Sequence, residues 1–253
     1  MVFQTRERLL RVNSLYRQVP AQSSNSNFQY LFDNRYSDRV RSINLQSASI
    51  PRLFPNVYAP LNVLHYLVGA VETTLVIPEG QYTATELAVI LNNSTDFDVT
   101  YDATLQRFLW SWDAAAFDVT LLSSSPIADL IGLSADLILT PVSLNVPLAS
   151  PPQMAGPCEI YLESDFLGST RCLDTPDLSK YIPLITVIDC SPVPYGFCVN
   201  YSQHERRVGH IDFDDSVSLR FIDFKLTDQR GFVLPLPSNG YIDLVFEITY
   251  VVD

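Results

Sequence analysis

From residue 28 onward, apolar positions tend to recur every second residue, and the chain predicts strands. Phe28–Asp33 alternates in part, and Arg39–Ile50 alternates more clearly, with Val40, Ile43, Leu45 and Ile50 apolar. The phase slips once between Val40 and Ile43, which predicts a bulge or bend there. Pro51 and Pro55 then end the run. Val63–Val68 and Val71–Ile77 follow as strands. Later strands are predicted over 158–163, 182–189, 196–201, 208–213, 217–226 and 241–252. The last is the clearest, with polar residues at 243, 247 and 249 in an otherwise apolar run, as in a strand with one face more buried.

Residues 78–135 have a different rhythm. Pro78–Tyr82 reads as a turn and Thr83–Asn92 as a helix. Thr83 and Glu86 have capping-box spacing, and Leu87, Ile90 and Leu91 form the apolar face. Phe97–Tyr101 and Arg107–Trp112 predict a hairpin, and Phe117–Leu122 a third strand. Ser124 or Ser125, Pro126 and Gly132 mark the start and end of a short helix. This order describes a small α+β module. With many short strands elsewhere and proline-marked loops, the fold class is mainly β: a jelly-roll β-sandwich made of 28–77 and 136–253, interrupted by the α+β insertion at 78–135.

Residues 1–27 do not share the strand rhythm. They end in the polar run Pro20–Asn27, and Leu9, Leu10 and Leu15 suggest at most a short helix. The segment is read as an N-terminal arm that orders on a partner.

Charge sharpens that reading. The 253 residues carry a formal charge of −12, with 17% charged residues, against about 25% in a typical soluble domain. Residues 1–52 hold eight arginines and three acids, a net +5, and the rest of the chain is −17. Of the 16 basic residues only Lys180 and Lys225 are lysines, and arginine suits interfaces better. Arg6, Arg8, Arg11 and Arg17 are the candidate partner-binding residues. They would meet acids of a neighbouring subunit in preference to nucleic acid, because no aromatic residues interleave with them at stacking intervals. Contact of the arm with nucleic acid or an inner membrane stays open. The start of the chain has no apolar signal-peptide core, and neither long uncharged stretch, 53–71 or 137–158, reads as a membrane helix. A soluble protein made in the cytosol is expected, with Cys158, Cys172, Cys190 and Cys198 as thiols.

No catalytic signature is present, and neither an enzyme nor a cofactor is expected. There is no CxxC pair, so no zinc site. His65 lies in an apolar run and reads as structural. His210, Asp212 and Asp214 would share one strand face, and they read as a solvated strand end because calcium takes six or more oxygens. Glu159 and Glu163 share a face at about 13 Å by strand rise, too far for a glycosidase acid pair. Trp110 and Trp112 also share a face. Phe108 extends it, which favours core or interface over a sugar-binding platform.

Several segments, taken in order, resemble a known family. They are RVRSINLQSASIPRLFP (39–55), IPEGQYTATELAVILN (77–92), the 101–112 hairpin, SSSPIADLIGL (123–133) and VSLRFIDFKLTDQRGFVLPLPSN (217–239). Together they resemble the penton, or minor capsid, proteins of virophages, polinton-like viruses and related double-jelly-roll DNA viruses. Gln81 stands where that family more often has Asn, and residues 1–27 match no motif of it. The resemblance implies a structural capsid subunit of the virion. It would form a pentamer at the icosahedral five-fold vertices and contact the major capsid protein and possible other minor capsid proteins. A small-molecule substrate is not implied. The alternative is a receptor- or carbohydrate-binding fibre or spike module of the same fold class.

Overall fold

The computed structural model describes residues 4–16, 24–32, 39–93, 97–112, 117–168, 184–202 and 210–252. The chain divides into two compact units, Met1–Phe54 with Pro157–Asp253, and Pro55–Gly156. The first unit begins with β1 (Gln4–Asn13), β2 (Asn27–Leu31) and β3 (Val40–Pro51). The second holds β4 (Val63–Val68), β5 (Val71–Val76), α1 (Ala84–Leu91), β6 (Asp98–Asp102), β7 (Arg107–Trp112), β8 (Val119–Leu121), α2 (Ala128–Ile131), β9 (Leu137–Leu139) and β10 (Ser143–Pro147). The chain returns to the first through β11 (Glu159–Glu163), α3 (Asp165–Gly168), β12 (Leu184–Asp189), β13 (Cys198–Ser202), β14 (His210–Val217), β15 (Phe221–Thr227) and β16 (Asp243–Val252).

The strand order of the first unit is that of a jelly roll. One sheet runs β1-β16-β3, and β13 and β14 take successive halves of the far edge of β3. The other runs β12-β11-β15-β2. With β13 and β14 counted as one interrupted strand, the eight strands of this unit are ordered 1-8-3-6 and 5-4-7-2, all antiparallel, as in a jelly roll. Alternation decides which side chains point inward. Phe224 of one sheet stacks on Phe246 of the other with ring centroids 5.4 Å apart, and Phe28 packs on Phe224 at 5.5 Å. Ile43, Leu45, Ile160, Leu162, Ile222 and Leu244 are buried in the same unit.

The phase slip in the third strand is a bulge. Opposite β16, Ser42 pairs with Thr249 and Val40 with Tyr250, so Arg41 is the extra residue. On the outer side of the second sheet, Asp223 accepts hydrogen bonds from the backbone N–H of Asp165 and Phe166 and so fixes the start of α3. A sharp turn follows β15. Asp228 accepts from the N–H of Arg230 and Phe232, and Gly231 has φ +82°.

Two expectations need correction here. The segment read as an arm that orders on a partner supplies β1, which pairs with β16 from Gln4↔Val252 to Asn13↔Asp243. Its weak apolar pattern concealed this, because a backbone ladder holds the strand more than a hydrophobic face does. The insertion is also wider than 78–135. It spans Pro55–Gly156 and includes β4 and β5, which had been assigned to the sandwich. β4 pairs with β5 on one side and β8 on the other, and among the described residues neither β4 nor β5 pairs with a strand of the jelly roll.

The inserted unit has its own core. Its sheets run β5-β4-β8-β9 and β10-β7-β6. Leu64, Tyr66, Leu87, Leu91, Phe97, Val99, Trp110, Leu121, Ile127 and Ile131 pack together. Thr83 and Glu86 form the predicted capping box of α1. The second helix is shorter than predicted and its N-cap is Ile127, with no side-chain bond. Ser125, expected to cap it, instead ties Leu122 to β4 by donating to the carbonyls of Leu122 and His65 and accepting from the His65 N–H. Gly132 ends the helix at φ +85°, as predicted.

Candidate interaction surface

Of the arginines singled out as partner-binding, Arg6, Arg8 and Arg11 lie on β1, and alternation divides them. Opposed residues of an antiparallel pair share a face. Val12 lies opposite buried Leu244, Leu10 opposite Phe246, Arg8 opposite Ile248 and Arg6 opposite Tyr250. Arg6 and Arg8 therefore occupy inward-phase positions, yet both are exposed. The guanidinium of Arg8 lies 5.4 Å from the centre of the Tyr250 ring, a cation–π distance. Inward-phase charge of this kind discourages uncontrolled edge-to-edge pairing.

Arg11 belongs to the opposite face. Its Nε and Nη2 donate to both carboxylate oxygens of Asp243, at 2.6 to 3.0 Å. That hydrogen bond and the carboxylate charge raise the arginine's pKa, so it is a fixed cation. Arg17 lies outside the described residues. Among the described residues, Arg6, Arg8 and Arg11 are thus not gathered into one cluster. They give an outward ion pair at Arg11, on the face that also carries Leu9, 73% exposed, and a second basic face at Arg6 and Arg8. The signal for the strand was present as Arg6-x-Arg8-x-Leu10-x-Val12, a two-residue period with charge at its outer end.

The inserted unit is electrostatically unlike the rest. Residues 55–156 contain ten acids and one arginine. That arginine, Arg107, donates to the carbonyls of Leu148 and Ala149. One face of its four-stranded sheet packs on the core through Leu64, Tyr66, Val119 and Leu121. By register, the other face carries Val63 and Val76, His65 and Thr74, and the row Glu72, Leu67, Thr120, Ile138. Val76 and Ile138 are 63% and 60% exposed. His65 bonds Thr74 at 3.2 Å and lies 3.7 Å from the Glu72 carboxylate, a surface role in place of a buried structural one.

The other candidate chemistry is dispersed or buried. Trp110 and Trp112 are 0% and 8% exposed. Phe97 bridges the Trp110 and Tyr66 rings at 4.9 and 5.1 Å. The pair is core, as Phe108 suggested, and it offers no platform to a sugar. Glu163 accepts from the Thr227 hydroxyl at 2.8 Å and lies 3.8 Å from the Lys225 ammonium, whereas Glu159 accepts from Tyr161 at the exposed start of the same strand. Asp212 is exposed on β14, and the side chains of His210 and Asp214 lie outside the described residues, as do His204 and Cys172. Among the described residues no three His, Cys, Asp or Glu side chains come together as a metal site, and no helix is long and apolar enough to cross a membrane.

No family model matches the chain, and no curated protein does. Among solved structures, the chain is similar to the crystal structure of the mavirus penton protein, with 8% identity and a TM-score of 0.48 over 98% of this chain and 100% of that one.

Proposed function

We propose that this protein is a structural subunit of an icosahedral capsid. It forms a ring of five at the five-fold vertices and contacts the surrounding major capsid proteins, and its place is the virion. The observation that carries the reading is the jelly-roll strand order, 1-8-3-6 facing 5-4-7-2, opened after its third strand by a self-contained module. Jelly rolls serve many functions, so the fold needs a second support. The penton-like segments supply it, because each falls on an element with a physical role. Residues 39–55 form β3 and the exit from the sandwich. Residues 77–92 form the turn and capped helix α1, where Gln81 accepts a hydrogen bond from the Asn56 N–H at 3.0 Å. Residues 217–239 form β15 and the Asp228–Gly231 turn.

Function on this reading is burial of surface, with no reaction. The edge of β1 with Arg6 and Arg8, and the open apolar face of the inserted unit, are the surfaces that neighbouring subunits would cover. The test is the mass of the purified chain by native mass spectrometry and light scattering, over a range of concentration and salt. A ring of five has a mass of about 140 kDa, five times 28.5 kDa. A stable trimer would overturn the vertex assignment in favour of a spike.

A further inference from the structure

Near the point where the chain leaves the sandwich at Phe54 and returns at Pro157, two cysteines stand in register just beyond the paired ends of β11 and β12. Glu159 pairs with Asp189, and the ladder continues one residue further, where the Cys190 N–H donates to the Cys158 carbonyl at 2.9 Å. Cys158 and Cys190 are therefore directly opposed residues of an antiparallel pair, with side chains on the same face. The Cα atoms of such a pair are about 5.5 Å apart, inside the range that a disulfide spans. Their access differs. Cys158 is exposed and Cys190 is buried. The Cys190 Sγ donates to the Pro157 carbonyl at 3.1 Å. Buried Arg52 reaches the same spot, with Nη1 on the Cys190 carbonyl at 2.9 Å and Nη2 3.5 Å from the Pro157 carbonyl.

We infer that Cys158 and Cys190 form a redox pair that closes to a disulfide when the protein meets an oxidising, extracellular-type environment. Exposed Cys158 is the attacking thiol and buried Cys190 the resolving one. In the first step the Cys158 thiolate attacks one sulfur of a small-molecule disulfide such as oxidised glutathione. A protein–glutathione bond forms and one glutathione thiol leaves. In the second step Cys190 gives its proton to solvent and attacks the Cys158 sulfur, and the second glutathione leaves. The two cysteines lose two electrons and two protons in all, and the oxidant takes them up. Burial pushes the Cys190 thiol up to about 11, and the Arg52 cation opposes that shift. The thiolate fraction of Cys190, and with it the rate of the resolving step, rises with pH. Cys198 is exposed on β13, opposite Pro51, and is not part of the opposed pair.

The bond would close a loop of about 30 residues between β11 and β12 and so restrict the unfolded chain. Its effect is a covalent staple beside the root of the inserted unit, present outside a reducing cytosol and absent within it. The inference stands whether or not the capsid reading does.

The test uses the full chain, reduced and then incubated with oxidised glutathione at pH 8. Thiols are blocked before and after, and peptides are mapped by mass spectrometry. The expected result is a Cys158–Cys190 cross-linked peptide, and a thermal midpoint about 5 °C higher that returns to its starting value on reduction. A Cys158→Ser variant, altered at an exposed site, should fold with the reduced midpoint and show no rise. A Cys172→Ser, Cys198→Ser double variant should still cross-link. Persistence of Cys158 as the glutathione mixed disulfide with Cys190 unmodified would overturn the proposal. So would pairing of Cys158 with Cys172 or Cys198.

Discussion

Arg11 holds Asp243 from 232 residues away, with Nε at 2.9 and 3.0 Å from its two carboxylate oxygens and Nη2 at 2.6 Å from one of them. The contact joins the end of the first strand to the start of the last. It sits where Asn13 pairs with Asp243 in the ladder, next to the Ser14 N–H that donates to the Ile242 carbonyl and the Ser14 hydroxyl that accepts from the Ile242 N–H. These contacts anchor β1 at this end. Replacing Asp243 by Asn keeps the shape and removes the charge-assisted fork. The pair is solvent-exposed, so the effect is local and modest. Amide exchange of β1 should become a few-fold faster, while that of β15 stays unchanged.

A larger perturbation separates a strand from an arm. Deletion of residues 1–13 leaves an arm-bearing protein folded. Here the same deletion uncovers the whole edge of β16 and the buried positions that Val12 covers. The expected result is loss of near-ultraviolet circular dichroism from the sandwich and a shift to insoluble or aggregated product, since a long unpaired edge is an aggregation site. A truncated chain with native spectrum and solubility would contradict the ladder.

The contrast between the first and last strands explains what the sequence disclosed. β16 announces itself because Leu244, Phe246 and Ile248 alternate with half-exposed residues on a strand paired on both sides. Among the described residues β1 pairs with β16 alone, and its inner face, buried at Val12, is exposed at Arg6 and Arg8, so arginines are tolerated there. Hydrophobic period reports burial, and an edge strand held by its backbone lacks most of that signal. The same limit misplaced the module boundary. β4 and β5 read as good strands, but nothing in an alternating pattern says which sheet a strand joins. That is decided by pairing partners such as Tyr66 with Leu121. Turn and cap chemistry was legible because it is local. Thr83 with Glu86, and Gly132, fell where expected, whereas Ser125 is held by Leu122 and His65 and does not cap α2. The opposed cysteines were invisible, since 32 residues of sequence separate them and only the register brings them together.

The tryptophans decide between a core and a ligand platform. Trp110 is fully buried among Phe97, Tyr66 and Leu121, and Trp112 donates its indole N–H to the Phe117 carbonyl at 2.7 Å. Trp110→Ala should destabilise the inserted unit by about 3–5 kcal/mol, the usual cost of emptying a large aromatic site, measured by chemical denaturation. Trp110→Phe should cost less, because the buried Trp110 Nε1 has no hydrogen-bond partner among the described residues. Unchanged stability with loss of binding to a glycan array would restore the platform reading.

Gly132 tests the C-terminal turn of α2. At φ +85° a side chain is already strained, and a Cβ there would lie 2.2 Å from the Ser150 carbonyl oxygen. That oxygen is backbone and cannot swing away. Gly132→Ala should therefore cost about 3 kcal/mol or more. It should lower the unfolding midpoint of the inserted unit, whereas substitution at Gly231, which also has positive φ but open space around its Cβ position, should cost less.

Acid sensitivity of the inserted unit follows from two carboxylates that act as local caps. Glu86 accepts from the Thr83 N–H at 2.8 Å and the Thr83 hydroxyl at 2.9 Å, and these bonds hold its pKa below the usual carboxylate range. Asp136 does the same for the N–H and hydroxyl of Ser123, both at 2.7 Å. A carboxylate whose folded pKa is depressed binds its proton more readily in the unfolded chain. Its stabilisation is complete above the ordinary carboxylate pKa of about 4 and is lost as pH falls through the lower folded value. Stability of the unit should be flat from pH 7 to about pH 5 and then decline. Both groups are exposed, so each contributes modestly. Glu86→Gln and Asp136→Asn together should flatten the part of that decline the two carboxylates supply, with Thr83→Ala removing the reciprocal cap at a cost of about 1 kcal/mol at neutral pH. Urea unfolding followed by tryptophan fluorescence at pH 3.5, 5 and 7 reads this directly, because both tryptophans lie in the inserted unit. An acid decline in the double variant as steep as in the parent would show that other groups govern it.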